Sequence, residues 1–197
     1  MKIKRGDDKI KKMIINYYGE NYFKIQSGKL VVLIDPLKSR AWPNNYLVLI
    51  TSPLFLKSKP EKSEGFLIEY QGEYEFLGVP IEGWQIDFEK GKEKTIYQLI
   101  LEEIKIVVFG LIKKETPEMK KIISEIKNPE IVLALPEMAE TVKAIAPKIF
   151  IPALWEKSLP LLNEVFKQKE ISPKEKLVVK KKDLETINRP IIECLKF

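Results

Sequence analysis

A chain of 197 residues suits one domain with a sizeable core and is short for two. Its composition, 45% hydrophobic and 31% charged, is that of a globular protein; one cysteine forbids an internal disulfide, and the absence of any histidine removes the commonest metal ligand and general base. A Ser-His-Asp triad, a Cys-His dyad, a two-His zinc motif and a His-Cys zinc finger are therefore all excluded.

The net charge of +6 is carried by lysine, since only Arg5, Arg40 and Arg189 are arginine. Lysine excess favours solubility and weak anion attraction over the bidentate contacts of sequence-specific nucleic-acid reading. No apolar run reaches the roughly 18 residues of a membrane span. The charged start, Met1 to Lys12, leads into a stretch cut by Asn16 and Gly19 with no small-residue cleavage site, so no membrane partner and a cytoplasmic location are expected. Residues 1–12 read as a charged extension and 13–197 as a single domain.

In chain order, Met13 to Tyr18, Tyr22 to Gln26 and Lys29 to Ile34 are β-branched or aromatic runs, the last two joined by the tight-turn pair Ser27-Gly28. Asp35-Pro36 stops the hairpin. Tyr46 to Thr51 is a continuous apolar run of buried-strand length, followed by a polar loop from Lys57 to Gly65. Phe66 to Glu69, Tyr74 to Leu77, Pro80 to Ile86, Thr95 to Leu101 and Lys105 to Phe109 read as further strands, with Gly91 and Glu102-Glu103 at turns.

The period then changes. Thr116 is an N-cap with Pro117 at the first helical position, and Met119, Ile122, Ile123 and Ile126 fall on one helix face. Ile131 to Leu135 is a buried strand, Met138, Val142 and Ile145 a second helical stripe ended by Pro147, and Lys148 to Ile151 another strand. Ser158 opens a third helix carrying Leu162, Val165 and Phe166. A β-rich half feeding an α/β half predicts sheets covered by helices in one body. Lys174 to Lys182 reads as a strand, Leu177 to Val179, whose flanking lysines protect a sheet edge. Cys194 reads as a small core residue, since nothing is present to activate it.

The order Tyr18-Gly19-Glu20-Asn21-Tyr22-Phe23-Lys24-Ile25, hairpin, Leu33-Ile34-Asp35-Pro36, then Leu47-Val48-Leu49-Ile50-Thr51 resembles the start of the metallo-β-lactamase-fold hydrolases, in the branch that includes L-ascorbate-6-phosphate lactonase-like proteins. Further pieces are Gly72-Glu73-Tyr74-Glu75 with Gly78-Val79, Thr95-Ile96-Tyr97 before Ile104-Lys105-Ile106, and Ala146-Pro147-Lys148-Ile149-Phe150-Ile151-Pro152. The resemblance implies an α/β (α+β) αββα sandwich, two packed β-sheets flanked by helices, here truncated between Leu135 and Ala139.

The same resemblance implies that the metal site is erased. The family's His-x-His-x-Asp-His falls on Ser52, Leu54, Leu56 and Lys57, its Gly-Asp aspartate on Leu111, and its last histidine on Leu154; its early Gly-His reads Gly19-Glu20. Each zinc needs three lone-pair donors and an open position, and leucine offers no lone pair. The expectation is a site filled by apolar packing at Leu54 and Leu154, with no cofactor. A carboxylate-only site drawn from Glu20, Asp35, Glu73 and Glu75, which the resemblance brings near the old site, is the enzymatic alternative. The leading expectation is a catalytically inactive interaction module, self-associating or bound to a protein partner. Trp42, Tyr46, Trp84 and Trp155 are its candidate contact residues, with core packing the favoured reading of them. A weak nucleic-acid or ribonucleoprotein binder using the lysines of Lys2 to Lys12 and Lys174 to Lys182 is the other alternative.

Overall fold

Alternate residues of Met13–Tyr17 are buried, as a strand with one face on a core requires. The computed structural model describes residues 12–36, 46–52, 65–88, 92–168 and 170–197. In it β1 (Met13–Tyr17), β2 (Phe23–Ser27), β3 (Leu30–Ile34), β4 (Tyr46–Leu49), β5 (Phe66–Ile68) and β12 (Leu177–Val179) form a six-stranded sheet in the order β12-β1-β2-β3-β4-β5. A seven-stranded sheet joins β6 (Gly72–Phe76), β7 (Val79–Phe88), β8 (Lys92–Leu101), β9 (Ile104–Val108), β10 (Ile131–Ala134), β11 (Ile149–Pro152) and β13 (Ile191–Ile192) in the order β13-β11-β10-β9-β8-β7-β6.

The pairing is mixed in both. Hairpins make β1-β2-β3 and β6-β7-β8-β9 antiparallel, whereas β3-β4-β5 and β9-β10-β11-β13 are parallel. The parallel strands β4, β10 and β11 are buried at every position, which is why they read as unbroken apolar runs. Between the sheets lies a core built from Ile15, Ile25, Ile34 and Leu49 on one side and Leu99, Ile106, Leu133 and Ile151 on the other.

Helices cover the outer face of the seven-stranded sheet. They are α1 (Pro117–Glu125), α2 (Ala139–Ile145), entered through a 3-10 turn at Pro136–Met138, and α3 (Leu159–Phe166). Thr116 caps α1 by accepting from the Met119 N–H at 3.2 Å, with Pro117 in the first turn. Met119, Ile122, Val142, Leu162 and Phe166 then pack on Val107, Val132 and Phe150. The outer face of the six-stranded sheet carries a small cluster of Val31, Leu33, Tyr46, Val48 and Ile50. A short α4 (Lys181–Glu185) follows β12 and buries Leu184. Among the described residues no helix is long and apolar enough to cross a membrane.

Side-chain hydrogen bonds help to stitch the sheets. Tyr97 on β8 is wholly buried, its hydroxyl lying 3.1 Å from the Ile50 carbonyl and 3.3 Å from that of Ile68, so one phenol serves the ends of two strands in the other sheet. Opposite it stands Gly83, where a Cβ would come within 2.9 Å of the Tyr97 ring. At the far end the Ser27 hydroxyl donates to the Glu102 carboxylate, tying the β2-β3 turn to the β8-β9 turn.

That second turn is built from unfavourable residues. Leu101 pairs with Ile104, and the two residues between them, Glu102 and Glu103, have φ of 52° and 62°. A two-residue turn with both φ positive favours Asn-Gly, and a side chain there is strained. Glu102 is tied to Ser27, whereas Glu103 is exposed. Glu103→Gly is expected to raise the urea midpoint by the equivalent of about 0.5–1 kcal/mol with an unchanged m-value; a lowered midpoint would contradict the strain.

Candidate functional site

The carboxyl ends of β1, β3 and β4 in one sheet and of β9 and β11 in the other come together at one rim. The Tyr17 hydroxyl, at the end of β1, accepts from the Leu154 N–H just beyond β11 at 3.0 Å and donates to the Glu20 carbonyl at 3.0 Å. The Thr51 carbonyl, beyond β4, accepts from the Thr95 N–H at 2.9 Å. Gly110, beyond β9, lies so close to Thr51 that a Cβ would sit 2.4 Å from its hydroxyl oxygen, and its φ is +64°. Only glycine fits there, for both reasons.

Beneath the rim is a buried polar cluster. Asp35 follows β3 with φ of 45° and is completely buried. Its carboxylate accepts from the Thr51 N–H at 2.7 Å, from the Thr51 hydroxyl and from the Asn21 amide. One carboxyl thus holds the loops that follow β1, β3 and β4. Burial pushes its pKa up from 3.8 to about 7, against the opposing pull of the Thr51 and Asn21 donors. Asn21 is itself buried, and its Oδ1 has no partner among the described residues. Turning that amide over would set Oδ1 against Asp35, the match for a protonated carboxyl.

The expected vestigial positions divide. Asp35 and Ser52 are buried, Leu111 is half-buried, Glu20 is exposed, and Leu154 is 46% exposed with φ of 51°. The expectation of apolar packing at Leu154 is thus corrected: the left-handed backbone after β11 turns this side chain to solvent. Tyr17, bonded to the Leu154 N–H, is buried, and burial raises its hydroxyl to about 12. Leu54, Leu56 and Lys57 lie outside the described residues, as do Trp42 and the turn at Gly91.

Among the described residues the donors at the rim do not fit a zinc centre. Leu111 and Leu154 have no lone pair, and Asp35 is committed to three hydrogen-bond donors. Among the described residues no three His, Cys, Asp or Glu side chains gather into a set that could hold a metal. Glu73 and Glu75 do share one face of β6, as the alternation required, but on its exposed face at a sheet edge rather than with Asp35.

Two of the candidate contact residues take the core packing that was the favoured reading for them. Tyr46 and Trp155 are buried, at 4% and 7% exposure, Tyr46 in the small outer cluster and Trp155 under the helices with its indole N–H donating to the Leu195 carbonyl at 2.9 Å. Trp84 is half-buried against the same helical cluster. Cys194 is the core residue expected, with burial pushing its thiol up to about 12. The residues that organise the rim, Tyr17, Asn21, Thr51, Gly110 and the terminal Phe197, were not singled out from the sequence. Phe197 lies against Gly19, where a Cβ would meet its ring at 3.2 Å, and makes an edge contact with Tyr17 at 6.3 Å between centroids.

No family model matches the chain, and neither does any curated protein. Solved structures do. The chain is similar to a protein described as a zinc-dependent hydrolase of the metallo-β-lactamase superfamily from Thermotoga maritima, with a TM-score of 0.68 at 18% identity over 93% of this chain and 100% of that one. A protein described as a metal-dependent hydrolase from Parabacteroides distasonis gives 0.62 at 14% identity over 94% of each chain. The metallo-β-lactamase fold protein YhfI from Bacillus subtilis gives 0.60 at 9% over 86% of this chain and 99% of that one. The chain therefore has the metallo-β-lactamase fold, and at these identities the likeness is one of fold.

The buried carboxyl makes a pH-dependent contribution. The folded form binds the Asp35 proton more tightly than the unfolded chain, so this contribution to stability is full below about pH 4 and is lost as the pH rises through about 7. Asp35→Asn, whose amide the turned Asn21 can satisfy, is expected to flatten the stability difference between pH 5 and pH 8 in urea unfolding. Asp35→Ala leaves Thr51 and Asn21 unpaired and is expected to cost about 2–4 kcal/mol. An unaltered pH slope in Asp35→Asn would contradict the assignment.

Proposed function

We propose that this protein is a catalytically inactive form of the metallo-β-lactamase fold that acts by binding a partner rather than by turning over a substrate. The observation that carries this reading is the chemistry of the rim. Hydrolysis in a metal-dependent enzyme of this kind rests on a metal that acidifies a bound water, held by nitrogen and oxygen donors at the strand ends. Here the chain has no histidine, and the loops after β9 and β11 offer Leu111 and Leu154.

The surviving polar groups support the same reading. Asp35, Asn21 and Thr51 are turned into a buried knot that binds loops to one another, which is structural work. Apolar side chains stand exposed at the rim instead of ligands: Leu154 at 46% and Phe197 at 84%. Exposed apolar groups beside a rigid strand-end scaffold are the raw material of a binding surface.

Elemental analysis tests the reading. Protein purified without a histidine tag and dialysed against zinc, manganese or iron is expected to retain less than about 0.1 metal per chain. A stoichiometric metal would overturn it.

A further inference from the structure

Charge is segregated along this chain in a way the fold converts into two complementary edges. Between Ser63 and Glu89 there are seven acidic residues and no lysine or arginine, in a chain whose overall charge is +6. That stretch contains β6, the edge strand of the seven-stranded sheet. The stretch Lys174 to Lys182 has five lysines against one glutamate and contains β12, the edge strand of the six-stranded sheet. Among the described residues no strand pairs with the outer side of either.

The hairpin register says which groups β6 presents. Phe76 pairs with Val79 across the two-residue turn Leu77-Gly78, so this closing pair and every second pair beyond it bond to β7. The main-chain N–H and C=O of Glu73 and Glu75 are left pointing outward. Both side chains are exposed, and the neighbouring Glu82 has its pKa raised first by burial and then by repulsion from Glu73 and Glu125, against the pull of Lys105. On β12 the inward residues Leu177 and Val179 are buried, while Val178 is 45% exposed and stands between Lys176 and Lys180 on the outer face.

Like charges directly opposite one another oppose strand pairing and unlike charges favour it. Two β6 edges brought together antiparallel would set Glu73 against Glu75. Two β12 edges would set Lys176 against Lys180. Only the unlike pairing, β6 on β12, sets carboxylates against ammonium groups while leaving Val178 in contact with the strand beside it. We infer that the β6 edge of one molecule takes the β12 edge of a second copy as an added strand, giving head-to-tail association held by main-chain bonds and selected by charge. This rests on the interaction-module reading and names its partner. A heterologous contact of this kind uses two different surfaces of each molecule, so it extends to chains rather than closing as a two-fold dimer.

Sedimentation velocity of the full chain, at rising concentration and low ionic strength, tests it with two charge-reversed variants. The wild type is expected to show a mass that grows with concentration and falls back in 0.5 M salt, where charges more than about 4 Å apart are screened. Glu73→Lys with Glu75→Lys, and separately Lys176→Glu with Lys180→Glu, place like charges on both edges and are each expected to weaken association about tenfold or more. Mixing the two variants, or combining all four substitutions in one chain, restores opposite charges and is expected to restore association. Circular dichroism checks that each variant keeps its sheets. A wild type that stays monomeric, variants that associate as the wild type does, or a mixture that fails to regain association would each overturn the inference. None of these results bears on metal content, so the failure of this contact and the failure of the inactive reading are separately visible.

Discussion

The Asp35 carboxyl is the constraint on which the site end of the molecule depends. Strands of the two sheets finish at one rim. A fully buried carboxyl that accepts from Thr51 twice and from Asn21 once holds three of the loops that follow them at a single point. Burying such a group costs free energy, as its raised pKa records, and the cost is offset only because the donors converge on it. Gly110 and Tyr17 are then positioned around that point, the first by its missing Cβ against Thr51 and the second by its bond to Leu154.

Much of the sandwich was legible in the sequence because each layer leaves a different period. The β-branched and aromatic runs from Met13 to Tyr18 and from Tyr22 to Gln26 marked strands, the unbroken apolar run from Tyr46 to Thr51 marked a buried one, and Thr116-Pro117 marked a helix start. Element ends were less legible, since the strand from Thr95 extends back to Lys92 and the 3-10 turn before α2 has no period of its own. The absence of histidine from the rim could be read from composition alone, because a residue type that is absent cannot be placed by any fold.

What occupies the rim was not legible. Exposure is decided by tertiary contacts, so Trp155 and Tyr46, residues typical of interfaces, proved to be packed, while Leu154, expected inside, faces water because its backbone turns left-handed after β11. Tyr17 is drawn in from a strand end to bond the Leu154 amide, a contact between residues far apart in the chain that no local pattern announces. The same holds for Tyr97, whose hydroxyl meets carbonyls of the opposite sheet. A fold shared with proteins described as metal-dependent hydrolases thus carries a strand-end rim at which Asp35, Asn21 and Thr51 bond to one another. Fold sets where a site can be, and the residues at the strand ends set what it can do.

The most direct test of that claim is the urea midpoint of the chain measured in chelator and again with excess zinc, manganese or ferrous iron. A metal bound by the folded form alone must raise the midpoint, by about 2.7 kcal/mol at a hundredfold excess over its dissociation constant. The account predicts coincident curves in all conditions; a midpoint that rises with one metal and falls back in chelator would show a working metal centre and contradict it.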